Sequence, residues 1–156
     1  MRQLFVAAAI AAGIVAAGAG AGTNAARQRV AITVAPTSAV KTFVLEPLTE
    51  GPLERDTGSV SWQRENERTF VRGGQRVDHW VGVGTFVGKY GTIVIRVRID
   101  WLDAGRGFDA GVGTWKVIRG TRDYARVAGR GRGAAVWSPS GAAASRSEGF
   151  MVKEGR

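Results

Sequence analysis

His79 is the only histidine of the chain, and Asp78 stands beside it, an imidazole next to a carboxylate as a general base would require. In an extended segment, neighbouring residues point to opposite faces, so Asp78 is poorly placed to orient His79. A surface or structural histidine is the expectation. A serine nucleophile would need a G-x-S-x-G elbow, and Gly58–Ser59–Val60–Ser61 runs into Trp62 where that glycine belongs. Gly82–Val83–Gly84 lacks the spacing of a dinucleotide loop, and no helical pattern follows it. The absence of cysteine rules out a thiol nucleophile, a Cys-based zinc site and a disulfide framework. With no histidine cluster either, no metal and no cofactor is expected.

The remaining chemistry-bearing residues are polar groups close to aromatics. Arg98, Asp100, Asp109 and Tyr124 are candidates by composition. Arg98 and Asp100 alternate with Ile93, Ile95, Val97, Ile99 and Trp101, which puts them on the opposite, solvent-facing side. No catalytic residue is assigned. The five tryptophans (Trp62, Trp80, Trp101, Trp115 and Trp137) either fill a core or line an apolar cavity. Trp101, Trp115 and Tyr124 are the candidate ligand-binding residues. Gly129–Arg130–Gly131–Arg132–Gly133 has the composition of an RGG stretch, but backbone geometry explains its glycines better, and no nucleic acid is expected as a partner.

The elements that must carry these residues follow a period of two. In Gly91–Leu102 the β-branched residues and Trp101 fall on one face and most charges on the other, as in a half-buried strand. Further strands are expected at Arg29–Val34, Val40–Leu45, Gly58–Trp62, Arg68–Arg72, Arg76–Val87, Val112–Ile118, Gly133–Trp137 and Gly149–Lys153. Turn signals separate them at Glu50–Gly51–Pro52, Gly73–Gly74, Lys89–Tyr90–Gly91 and Asp103–Ala104–Gly105. No stretch beyond residue 26 shows a helical period, so an antiparallel all-β sandwich or barrel is predicted. GVGTF at Gly82–Phe86 returns as GVGTW at Gly111–Trp115, and glycines within strands predict bulges or bends at barrel corners.

Met1–Arg2–Gln3 precedes an uncharged, Ala- and Gly-rich run, Leu4–Gly22, which ends among small residues. That order predicts a signal peptide over residues 1–26, a domain over 27–156, and a secreted or extracytoplasmic location. The alternative is a membrane anchor. The formal net charge of +9 predicts attraction to anionic surfaces such as a cell-envelope component. The basic residues are spread along the chain, so a solvated basic surface is expected rather than one dedicated site.

One segment is more specific. Trp115–Arg119 is followed by Gly120–Thr121–Arg122–Asp123–Tyr124–Ala125 and then Gly129–Arg130–Gly131. This resembles the W-x-I/V strand and G-T-G-x-Y turn of the allene oxide cyclase-like superfamily, which includes dirigent proteins and uncharacterised bacterial secreted barrels. The similarity covers roughly residues 80–152, and Arg122 stands where the pattern has its second glycine. If that position needs a positive φ, Arg122 is strained there.

The resemblance implies a single antiparallel, calycin-like β-barrel of about eight strands, bacterial, and a homo-oligomer by analogy. The function expected is binding of a small apolar ligand or an envelope component. The alternatives are a cofactor-free cyclase or dirigent-like enzyme acting on a hydrophobic intermediate, and a cationic protein that holds an anionic polymer.

Overall fold

A computed structural model of the chain describes residues 27–35 and 41–154. The expected signal segment lies outside the described residues. The rest folds as one antiparallel sheet of eight strands closed into a barrel in simple chain order. The strands are β1 (Arg27–Ala35), β2 (Thr42–Pro47), β3 (Asp56–Arg72), β4 (Gln75–Gly88), β5 (Gly91–Gly105), β6 (Phe108–Gly120), β7 (Val127–Trp137) and β8 (Ala143–Lys153). A single 3₁₀ turn, Arg122–Tyr124, sits between β6 and β7. Closure comes from β1 pairing with β8, from Arg27↔Val152 to Val34↔Ser145. The all-β barrel expected from the sequence is therefore the fold.

Alternation holds around the ring. Val30, Ile32, Val34, Phe43, Leu45, Val60, Phe86, Ile93, Ile95, Val97, Trp115, Val117 and Met151 form one buried cluster inside the barrel. Ile93, Ile95 and Val97 point inward as read from the sequence, with Arg96 and Arg98 exposed outside. The Gly73–Gly74 turn has φ of 57° and 81°, the pair of positive values that a tight two-residue hairpin requires.

Two expectations change. Gly58–Trp62 and Arg68–Arg72 are not separate strands but parts of β3, joined through the polar run Gln63–Glu67 and a register shift between Arg64 and Asn66. The reason is that β2 covers only the first residues of β3, the register ending at Thr42↔Ser59. Beyond that point β3 has an edge with no β2 partner, and charged residues are what keeps an edge strand from pairing with other chains. The β5–β6 turn also lies later than Asp103–Ala104–Gly105, because β5 continues to Gly105.

Candidate ligand cavity

The strand glycines have a different purpose from the one expected. The register shifts fall at Arg64/Asn66, Val94/Ile95 and Asp103/Gly105, and none coincides with Gly82, Gly84, Gly111 or Gly113. Gly82, Gly84 and Gly111 make room for tryptophans, whereas Gly113 lies against the Arg98 carbonyl and Ile99 of β5. Trp62 faces Gly84 across β3–β4, Trp101 faces Gly111 across β5–β6, and Trp115 faces Gly131 across β6–β7. A Cβ at Gly82 would stand 2.3 Å from the Trp80 ring, and one at Gly84 would stand 2.7 Å from Trp62. A Cβ at Gly131 or Gly149 would stand 2.6 Å from the Trp115 indole. No real side chain tolerates such contacts. A large ring beside a bare backbone is thus the packing rule of this interior.

The rings converge on one end. An open-mouthed cavity of about 460 Å³ is lined by all five tryptophans, with Val34, Val97, Ile99 and Ala135 between them. Its volume lies in the range of sites that hold one small molecule, as an eight-stranded barrel can. Trp62 packs edge-on against Trp80 and Phe86, with ring centroids 5.9 and 5.6 Å away. Aromatic pairs in this geometry are rigid, so the wall is preformed.

Polar groups sit at the rim. Lys41, Arg64, Glu67, Asp78 and Asp109 border the mouth, and Ser145 and Ser147 lie along the β8 wall. Arg64 is ion-paired with Glu67, and Thr69 donates a hydrogen bond to Asp78. That bond is the main cause that holds the Asp78 carboxyl below the usual carboxylate range, with Arg76 adding to it. Lys41 lies over the Trp137 ring at 5.7 Å. Deeper in, the Trp115 indole N–H is the one buried side-chain polar atom without a hydrogen-bond partner among the described residues. The cavity thus has an aromatic body, a mouth of mixed charge and a spare donor in its wall.

The other end of the barrel is closed by a polar latch. Asp56 is 2 % exposed and accepts hydrogen bonds from Tyr124 Oη (2.8 Å), the Lys89 amide (2.9 Å) and the Thr57 amide (2.8 Å). It thereby ties the start of β3 to the β4–β5 turn and to the 3₁₀ turn. Gln28 does the same for the β2–β3 loop: its amide donates to the carbonyls of Thr49 and Leu53 and accepts from the Leu53 N–H at 2.8 Å. Burial, and then the hydrogen bond to Asp56 and the charge on it, raise the Tyr124 phenol well above its ordinary value.

Of the three candidate ligand-binding residues, Trp101 and Trp115 line the cavity. Tyr124 is buried with Asp56 at the opposite end, beside a separate small pocket of about 50 Å³ shared with Leu53, Glu54 and Tyr90. Asp109 reaches the rim, whereas Arg98 is exposed on the outer face as expected. Asp100 is outward too and meets His79, with Nδ1 2.6 Å from Oδ1, and Arg72 at 3.4 Å. His79 is therefore partnered by Asp100 across the strands rather than by its neighbour Asp78, a contact set by the β4–β5 register. Asp56 was not singled out in the sequence. A lone aspartate after Arg55 gives no signal until the fold buries it.

Comparison with protein-family models, with curated proteins and with solved structures finds no match for this chain.

Proposed function

We propose that this protein binds one small, largely apolar molecule with a ring or planar system in the tryptophan-lined end of the barrel. The single observation that carries this reading is the convergence of all five tryptophans on one cavity, with Trp62, Trp101 and Trp115 each opposed by a glycine on a neighbouring strand. Here one end is packed by aliphatic side chains together with Phe43, Phe86 and Tyr124 and is latched by Asp56, whereas the end where the tryptophans gather is left open. A ligand would stack on indole faces inside and meet Arg64, Lys41 and the acidic groups at the mouth, so a polar substituent on one end of an apolar body fits best.

The similarity of the Trp115–Gly131 segment to allene oxide cyclase-like barrels supports the use of the interior as a binding chamber. Secretion belongs to the same proposal, and a cofactor-free enzyme acting on a hydrophobic intermediate is its alternative. The paired polar groups of the lining, Arg64 with Glu67 and Asp78 with Thr69 and Arg76, sit at the rim and the body is aromatic, which favours binding over catalysis.

Indole proton–nitrogen correlation spectra test the reading. Titration with N-phenyl-1-naphthylamine, an uncharged two-ring-system probe, should shift the indole signals of the cavity tryptophans and leave the Lys89 and Thr57 amides in place. Uniform small shifts at both ends, or none, would contradict it.

A further inference from the structure

The closed sheet places on its outer face a group of cations that the linear sequence keeps apart. Arg96 on β5 is directly opposite Lys116 on β6, and Lys116 is directly opposite Arg130 on β7. One step along the strands, Arg98, Thr114 and Arg132 form a second row in the same order. All six side chains are exposed. Arg96 is bridged to Glu65 at 2.9 Å, but Arg98, Lys116, Arg130 and Arg132 have no ion pair among the described residues. The acids beside these rows are already engaged: Glu148, opposite Arg132, by Arg146 at 3.0 Å and Arg29 at 3.6 Å, and Asp100, the next outward-facing residue after Arg98, by His79 and Arg72.

Like charges placed directly opposite on neighbouring strands destabilise a sheet, so the fold gains nothing from this arrangement. Neighbouring strands are about 5 Å apart, so Arg96, Lys116 and Arg130 follow one another at about that spacing, while Arg98 and Arg132 stand two strands apart with Thr114 between them. The rows run across the strands and follow the convex girth of the barrel. Thr114 is the only uncharged side chain within the rows, and Val112, Ile118 and Phe150 flank them without separating the cations.

We propose that the outer face of β5–β6–β7 is a docking site for a linear anionic polymer, with Arg98, Lys116, Arg130 and Arg132 as its contacts. It is separate from the cavity, whose lining includes none of these four residues. The polymer lies across the strands and replaces the mutual repulsion of the cations with attraction, an electrostatic contact that salt weakens.

Heparin, a linear sulfated polysaccharide, is the probe. The full chain should bind it in about 50 mM salt and lose about tenfold or more in affinity by about 300 mM. The quadruple variant Arg98→Gln, Lys116→Gln, Arg130→Gln, Arg132→Gln should lose about tenfold at low salt. A control quadruple with the same charge change elsewhere, Arg55→Gln, Arg68→Gln, Arg106→Gln, Arg122→Gln, should lose less than about threefold. The single variant Lys116→Glu sets an acid between Arg96 and Arg130, so its melting temperature should rise while heparin affinity falls. Equal losses in both quadruples would overturn the site, because net charge alone would explain them. So would a failure of the full chain to bind heparin at low salt, or binding only to vesicles of anionic phosphatidylglycerol, which would assign the face to a bilayer.

Discussion

Trp101 stands directly opposite Gly111 across β5 and β6, and a methyl group at Gly111 would come within 2.7 Å of the indole ring. The atoms in the way are the side chains of Ile99 and Trp101, not backbone. Gly111→Ala is therefore expected to cost about 1–3 kcal/mol through overpacking. Trp101→Leu should reduce that cost, because the ring that clashes is gone. A double-mutant cycle by urea denaturation reads the coupling directly, and strict additivity would show that Gly111 is needed for some other reason.

Trp115 is 4 % exposed and carries an indole donor without a partner among the described residues. Leaving a buried donor unsatisfied costs about 1–3 kcal/mol, so losing it offsets part of the packing that goes with it. Trp115→Phe should stay within about 1 kcal/mol of the parent, while Trp115→Ala should lose about 3–5 kcal/mol. Equal losses for the two variants would mean that the indole N–H is satisfied in solution.

The Asp56–Tyr124 latch predicts an alkaline weakness. In the unfolded chain the Tyr124 phenol loses its proton near pH 10, and in the folded barrel it holds it to higher pH. Above about pH 10 the folded state thus binds more protons than the unfolded state, and stability falls as pH rises, by at most about 1.4 kcal/mol per pH unit. Tyr124→Phe should lose about 1 kcal/mol at neutral pH with its hydrogen bond but show a flatter decline above pH 10. Tyr90, whose phenol is raised by its hydrogen bond to Glu54, keeps part of the alkaline response in that variant. Urea denaturation at pH 8 and at pH 10.5 would reveal a parallel decline in parent and variant if the latch has no such effect.

Arg122 has a φ of 51°, in the region where a Cβ crowds the backbone. The strain anticipated from the sequence at this position is present. Its neighbours hold the turn in place: Thr121 N–H donates to the Thr92 carbonyl at 2.9 Å, and Asp123 N–H donates to the Tyr90 carbonyl. Arg122→Gly should stabilise the barrel by about 1 kcal/mol, and Arg122→Val should destabilise it by at least as much. Thermal denaturation of the two variants checks the sign.

Much of the barrel was legible because inward and outward residues alternate, as in Gly91–Leu102, and because Gly73–Gly74 and Lys89–Gly91 mark real turns. Where alternation broke, the reading broke with it. Gln63–Glu67 fell between two expected strands because an unpaired strand edge uses the same polar residues as a connection. The glycines at 82, 84, 111 and 113 looked like bends because what fills the space above them, Trp62 over Gly84, Trp101 over Gly111 and the β5 backbone over Gly113, comes largely from other strands. Trp101 and Trp115 were identifiable as cavity residues from their size and inward phase. Tyr124 has the same aromatic character but lies at the latched end, and only the path of the chain after β6 decides that. The cations at 96, 98, 116, 130 and 132 are adjacent through strand register alone, which no local pattern encodes.

The most direct test of a binding cavity is to fill it. Ser145 is a half-buried residue of the cavity wall, opposite Val34 and Ala135 in the register of β8 with its neighbours. Titration of the parent protein with N-phenyl-1-naphthylamine, followed by tryptophan fluorescence and calorimetry, should give saturable binding at one molecule per chain. Ser145→Phe, folded by circular dichroism, should abolish it. Binding that survives Ser145→Phe undiminished would place the ligand elsewhere and contradict the account.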